Sequence, residues 1–298
     1  MGQMISVMIQ MNHPEAAEAA IEDMFSRYPE TPYLAAAVNI IADTWRRTGE
    51  TEHALDLYTY VTSSYPEMRA ELTARRGQIL ACFDLDQEEA AWEQLDAMIE
   101  DCNEMEGLEE AIFQIGEEVC DKAFANVTYY QLSEEDKVAL PRVIDVLETT
   151  IPMLSDPHYQ CMSLYMAGIS YWQMGEWYPA ADAFLESIEA DPHFKYAGGM
   201  HWMVAYCYEK LKAAGEIDKE EADAMIEWGY QTLFEDYPNS RMGDLYHTAM
   251  KLGQINLARG RPATACVYFN WILDRVENPE DGRVIAIQQI LEGKEVCQ

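Results

Sequence analysis

The side chains able to do chemistry are plentiful in this sequence and poorly spaced for it. Six histidines could bind a metal or move protons: His13, His53, His158, His193, His201 and His247. Helical metal ligation asks for two histidines three to five residues apart, and no two stand at that spacing. His158 and His193 each follow an Asp-Pro pair, which suits a turn. His201 falls on an apolar helical stripe and is expected to pack rather than catalyse. The seven cysteines, Cys82, Cys102, Cys120, Cys161, Cys207, Cys266 and Cys297, are odd in number and widely spaced, without a Cys-x-x-Cys. They read as small buried residues in a reducing compartment, not as a disulfide frame or a zinc site. Carboxylates number 53, so pairs able to do acid–base work occur everywhere and mark nothing. No phosphate-binding glycine loop, nucleophile elbow or His-Glu-x-x-His is present. The expectation is no enzyme, no cofactor and no metal site.

Charge narrows the partner class. Fifty-three acidic residues against 20 basic ones give a net charge of -33. Such a chain repels the phosphates of nucleic acid and of anionic membrane surfaces. It would steer in a basic protein or peptide, and the same field also serves a merely soluble exterior. No stretch has the length and apolarity of a membrane span. No Lys or Arg precedes Arg27, so a signal peptide would lack its basic start, and a cytoplasmic place is expected. A periplasmic or cell-envelope place would follow if further sequence preceded Met1. Asn126-Val127-Thr128 matches a glycosylation acceptor and is read as chance.

The elements that must carry any site are repeated helix pairs. Leu164, Ala167, Gly168, Tyr171, Gly175, Ala180, Phe184, Ser187 and Pro192 form one pattern. It recurs 126 residues earlier as Val38, Ile41, Ala42, Trp45, Gly49, Ala54, Tyr58, Val61 and Pro66. It returns 85 residues later as Ala249, Leu252, Gly253, Asn256, Gly260, Ala265, Phe269 and Ile272. A fixed internal period is the mark of a repeat array. Spacings of three and four put each half of the pattern on one helical stripe. The glycine at the centre ends the first helix and turns the chain. Small Gly168 and Ala180 allow two helix backbones to approach, and Tyr171 and Phe184 fill the space around them. One pair cannot bury its stripe alone, so units must stack.

Less regular units are read between these copies. Approximate units are 1–29, 33–66, 68–105, 107–156, 157–191, 192–238 and 239–279, with 280–298 as a capping helix and tail in a single array. The first unit keeps Ala17, Ile21, Met24 and Pro29, with Ile5 in the place of the small residue. Met1, Met4, Met8 and Met11 share one side of its first helix, which is either ordinary packing or an open end. The third unit carries Ala91, Leu95 and Met98 two residues late. The fourth has an insertion at 126–131, after which Ser133 with Asp136 starts its second helix. The sixth is lengthened, with Asp218 and Glu221 at the start of a longer second helix.

The pattern resembles the tetratricopeptide repeat family, whose signature holds a Leu-Gly pair, an aromatic residue three positions on, then Ala, an aromatic and a closing Pro. Leu252-Gly253 matches the pair most literally. The closures Tyr28-Pro29, Tyr65-Pro66 and Tyr237-Pro238-Asn239-Ser240 look most like repeats of bacterial cell-envelope proteins, namely outer-membrane assembly lipoproteins and the Tol-Pal coordinator. The resemblance implies an all-α, right-handed superhelical solenoid of about seven helix pairs plus a C-terminal capping helix. It also implies a concave groove, lined by the first helix of each pair, that receives an extended or helical segment of a partner.

Carried onto this chain, the groove positions are Met162, Tyr165, Ile169, Trp172 and Gln173 in the fifth unit. They are Trp202, Tyr206, Glu209 and Lys210 in the sixth, then His247, Met250, Gln254 and Leu257 in the seventh. These residues either bind a partner or pack on one another and on the cap. The second unit presents Asn39, Asp43, Arg46 and Arg47 instead. One branch of the family grips terminal carboxylates with Lys and Asn, but Asn39 stands at its Lys position and Asp43 at its Asn position, which disfavours that use. The expected function is a non-enzymatic protein-interaction scaffold. The alternative is a self-assembling or accessory subunit of a cell-envelope complex, a homo-oligomer meeting through the N-terminal helix.

Overall fold

The computed structural model describes residues 2–11, 13–28, 31–66, 68–125, 132–238, 245–276 and 281–291. Met1, the sequence Asn126-Val127-Thr128 and Cys297, on which expectations fell, lie outside them. Among the described residues every regular element is helical, with fifteen α-helices and no strand. Contacts divide the chain into two compact bodies, residues 1–125 with 149–156, and residues 126–148 with 157–298.

The first body holds α1 (Gly2–Gln10), α2 (Pro14–Arg27), α3 (Pro32–Thr48), α4 (Thr51–Ser64), α5 (Arg69–Asp84), α6 (Glu88–Asp101) and α7 (Leu108–Ala123). Only Gly49 and Glu50 separate α3 from α4, and so short a link makes the two antiparallel neighbours. Gly49 has φ 93°, the left-handed turn that an L side chain rarely adopts. The first helices of successive pairs line up, α1 on α3, α3 on α5 and α5 on α7. The stripe Val38, Ile41, Ala42 and Trp45 is buried against α4 and its neighbours, as its spacing requires.

The second body holds α8 (Leu140–Thr150, its last two residues counted with the first body), α9 (Pro157–Met174), α10 (Trp177–Ala190), α11 (Ala197–Ala214) and α12 (Lys219–Asp236). It closes with α13 (Leu245–Ala258), α14 (Pro262–Leu273) and α15 (Gly282–Leu291). From α9 onward each helix packs on the next. The α9–α10 turn repeats the earlier device, with Gly175 at φ 80° and the Glu176 N–H donating to the Tyr171 carbonyl at 3.0 Å. The cap α15 buries Val284 and Ile287 and contacts α14.

Two starts read from the sequence are built as capped turns. Ser133 Oγ accepts the Asp136 N–H at 3.1 Å and donates to the Asp136 carboxylate at 2.6 Å. The turn that follows is a tight one over Asp136–Ala139 before α8 begins at Leu140. Asp218 accepts from the N–H groups of Glu220 at 2.8 Å and Glu221 at 3.2 Å, and α12 then runs 18 residues. The fourth pair is divided: α7 belongs to the first body and most of α8 to the second.

On α1, Ile5 and Ile9 are buried with Gly2 and Ser6, while Met4 is 52% exposed and Met11, just past its end, 64%. Cys82, Cys102, Cys120, Cys161 and Cys207 are free and buried. Burial pushes their thiols up, Cys120 and Cys207 to about 12, which leaves them weak nucleophiles. Cys266 departs from the free-thiol expectation: it is bonded in a disulfide. Sequence spacing alone does not reveal such a pairing. No helix among the described residues is long and apolar enough to cross a membrane.

The pairs α9–α10 and α13–α14 close through one kind of contact. A Cβ on Gly168 would lie 2.6 Å from the Phe184 ring, and one on Gly253 would lie 2.3 Å from the Phe269 ring. Gly77 stands in the same relation to Tyr58, at 2.3 Å, across the α4–α5 packing. Phe184, Phe269 and Tyr58 are fully buried. Alanine at a helical glycine gains roughly 0.5–1 kcal/mol in backbone propensity. Forcing a methyl into a close-packed seat costs roughly 1–3 kcal/mol, so the packing loss wins. Gly168→Ala is therefore expected to lower unfolding free energy by ~1–2 kcal/mol. Gly168→Ala with Phe184→Leu should lose less than the sum of the two single changes, measured by denaturant titration in a double-mutant cycle.

His201 lies in the core of the second body, as its stripe position predicts. Its ring is edge-on to Trp228 at 4.8 Å and tilted against Tyr237 at 5.7 Å. Gly229 brings α12 close, since a Cβ there would sit 2.6 Å from the His201 carbonyl oxygen. Nδ1 has no hydrogen-bond partner. Burial lowers the imidazole pKa to about 4, against a smaller opposing pull from Asp236. Below pH 6.5 the unfolded chain binds a proton here that the folded chain refuses, so this site costs stability increasingly from pH 6.5 down to 4 and nothing above. His201→Phe should show a smaller drop in melting temperature between pH 7.5 and 5 than the natural chain, read by differential scanning calorimetry.

Candidate functional site: an aromatic helix face

The groove positions differ in chemistry between the two bodies. In the first body they are closed by ion pairs. Asn39 Nδ2 donates to the Ala70 carbonyl at 2.8 Å, and Tyr58 Oη donates to Asp43 at 2.5 Å. The buried Arg46 guanidinium donates to Asp84 at 3.0 Å and also to Glu118. Burial works against its charge, but Glu118, Tyr58 and Asp84 outweigh that and hold it above its ordinary range. Arg76 donates to Gln114 and lies 3.8 Å from both Asp43 and Glu118. Lys122 reaches Asp84 at 2.7 Å. A polar depression of about 210 Å³ is lined by Arg69, Thr73, Arg76, Glu110 and Gln114, with Arg69 paired to Glu110 at 3.2 Å. Arg46, Arg69, Arg76 and Lys122 are thus each engaged by an acceptor of the chain itself, and Arg47 is exposed.

In the second body the same positions carry rings. Trp172 on α9 is 6.1 Å from Tyr206 on α11 and 6.4 Å from Trp177 at the start of α10. Trp177 is 6.0 Å from Tyr206, and Trp202 stacks on Tyr206 at 5.3 Å. These separations are those of interacting aromatic pairs. All four rings are half-buried, and the indole N–H groups of Trp172 and Trp202 have no acceptor. Tyr165 joins a second group, stacked on Tyr196 at 5.2 Å and edge-on to Phe194 at 5.9 Å.

Two lysines bear on these rings. The Lys210 ammonium lies 4.9 Å from the Tyr206 centroid and 5.8 Å from that of Trp177. Lys195 lies 4.5 Å over Tyr196. Glu209, beside Lys210, pairs instead with Lys251 on α13 at 2.8 Å. Tyr171 donates to Glu148, and burial with that carboxylate holds its hydroxyl above the ordinary range.

Of the sequence-derived positions, Tyr165, Trp172, Trp202 and Tyr206 are brought into ring contact. Met162 and Met250 are half-buried, Gln254 is exposed, and Ile169 is buried in the core. Gln173 is buried and accepts the Leu132 N–H at 3.3 Å. Sequence reasoning missed Trp177, Phe194, Lys195 and Tyr196. Trp177 follows the Gly175 turn directly, and an aromatic there is the signal that could have placed it. Among the described residues no group of three or more His, Cys, Asp or Glu side chains is placed to hold a metal.

No protein-family model matches the chain, and no curated protein matches it in sequence. Among solved structures it is similar to the C-terminal part of a TPR repeat-containing protein from Cytophaga hutchinsonii, at 15% identity and TM-score 0.49, covering 96% of this chain and 98% of that one. It is also similar to a tetratricopeptide repeat protein from Parabacteroides merdae, at 13% identity and TM-score 0.39, covering 97% and 95%. A third is PilF of Pseudomonas aeruginosa, at 12% identity and TM-score 0.39, covering 86% and 97%.

Proposed function

We propose that this chain is a non-enzymatic interaction scaffold whose second body holds a segment of a protein partner against the rings of α9 and α11. The observation that carries this reading is the half-buried cluster of Trp172, Trp177, Trp202 and Tyr206 on one helix face. Tryptophan and tyrosine supply most of the energy at protein interfaces, because they offer large rigid area at low entropic cost. A segment with a basic character suits a chain of net charge -33. Peptides selected on the chain from a random display library should lose about 30-fold in affinity for the Trp172→Ala, Trp202→Ala double variant, at unchanged helicity. Equal binding by both proteins would reject the groove.

A second reading is favoured by the first helix. Met4 and Val7 on α1, Met11 just after it and Tyr33 on α3 are exposed, Tyr33 at 86%. Another copy of the chain covering these side chains would make it a self-assembling subunit. Sedimentation should then show a dimer that Met4→Glu with Met11→Glu converts to monomer, whereas a monomer at high concentration removes the reading.

A further inference from the structure

The geometry points to a cation-binding function for the aromatic face: Lys210 occupies, in the free chain, the place that a lysine side chain of a basic partner segment takes over the rings of Trp177 and Tyr206. This inference rests on the groove reading and adds to it the chemistry of the partner.

The argument begins with what Lys210 avoids. The chain has 53 carboxylates, and among the described residues Lys210 pairs with none of them. Its neighbour Glu209 is engaged by Lys251. The Lys210 contacts are two ring faces, at 4.9 and 5.8 Å. Ring quadrupoles attract an ammonium within about 6 Å of the centroid, more strongly where water is thinned out. A half-buried wall of Trp172, Trp177 and Tyr206 is such a place. Lys195 repeats the arrangement over Tyr196, whose ring stacks on Tyr165 of the same helix face. The ring surfaces of this body therefore already select ammonium groups when only the chain's own are on offer.

The charge of the whole molecule then selects the partner. A field of net charge -33 concentrates basic segments near the surface, and the rings give them a specific seat. A lysine on a flexible stem moves away from a ring on the nanosecond scale, so Lys210 can yield to an incoming ammonium. Lys210 thus acts as an internal competitor that weakens binding of lone cations and leaves the seat to segments with several contacts.

The test uses the full chain and two soluble peptides, one alternating lysine and serine, the other identical with every lysine acetylated. Acetylation keeps the stem and removes the charge. Tryptophan fluorescence should report binding of the first peptide and at least tenfold weaker binding of the second. Lys210→Met should bind the lysine peptide about fivefold more tightly, because the competitor is gone. Lys219→Met makes the same change in net charge at an exposed residue that opens α12 and should leave the affinity unchanged. Tyr206→Leu should weaken it. The inference is overturned if Lys210→Met binds no more tightly than the natural chain or than Lys219→Met. It is equally overturned if the lysine peptide does not bind. Should acetylated and free peptides bind alike, and both be lost in the Trp172→Ala, Trp202→Ala variant, the groove stands and cation recognition falls.

Discussion

Everything in this molecule depends on how closely two helices can cross. At three crossings an aromatic ring on one helix occupies the space that a side chain on the facing backbone would need. Phe184 on Gly168 and Phe269 on Gly253 do this within pairs, and Tyr58 on Gly77 does it between pairs. The ring fills the crossing completely, so the crossing cannot slide without opening a cavity or a clash. At these crossings that constraint sets the spacing of the two helices. Glycine in a helix interior costs propensity, and the chain accepts that cost only where a ring takes the vacated space.

With the buried side settled by ring seats, the opposite side of each first helix is free to vary. The two bodies vary it in opposite directions. On α3, α5 and α7 the residues become an ion network in which Arg46 binds Asp84 and Glu118 together. A desolvated guanidinium with two carboxylates holds a surface shut, because a ligand would have to replace both partners at once. On α9 and α11 the same register carries rings, with lysines set beside them. Rings surrender water at little cost and gain by contact, which is the chemistry the proposed groove would use. The difference lies in side-chain chemistry alone, on helix pairs that the backbone builds in the same way.

The repeat was legible because its physics is local. Stripe spacing, the Gly175 turn and the Asp218 cap each follow from residues a few positions apart, and the helices appear where those signals place them. Ser133 with Asp136 was equally legible as a cap, although a tight turn precedes the helix proper. What escaped was non-local. Nothing near α7 in sequence says that most of α8 packs with the other body. The face itself was half legible. Helical register put Trp172, Trp202 and Tyr206 together, but a register rule treats Ile169 as their equal, and Ile169 is buried. Trp177 belongs to a different helix, so register could not include it.

The lysines show why composition misleads when read without geometry. A net charge of -33 suggests that every ammonium is neutralised by a carboxylate. In water a surface ion pair is worth little, since both groups are well solvated and their side chains lose freedom on pairing. An ammonium beside a half-buried ring loses less hydration and meets a fixed quadrupole, so the ring competes with the carboxylate even in an acidic chain. Lys251 takes the carboxylate of Glu209, and Lys210, one residue along α11, takes the rings. The two neighbours face different surroundings because α-helical geometry turns successive side chains about 100° apart. Register along α11 therefore turns Glu209 toward a cation of α13 and Lys210 toward the rings.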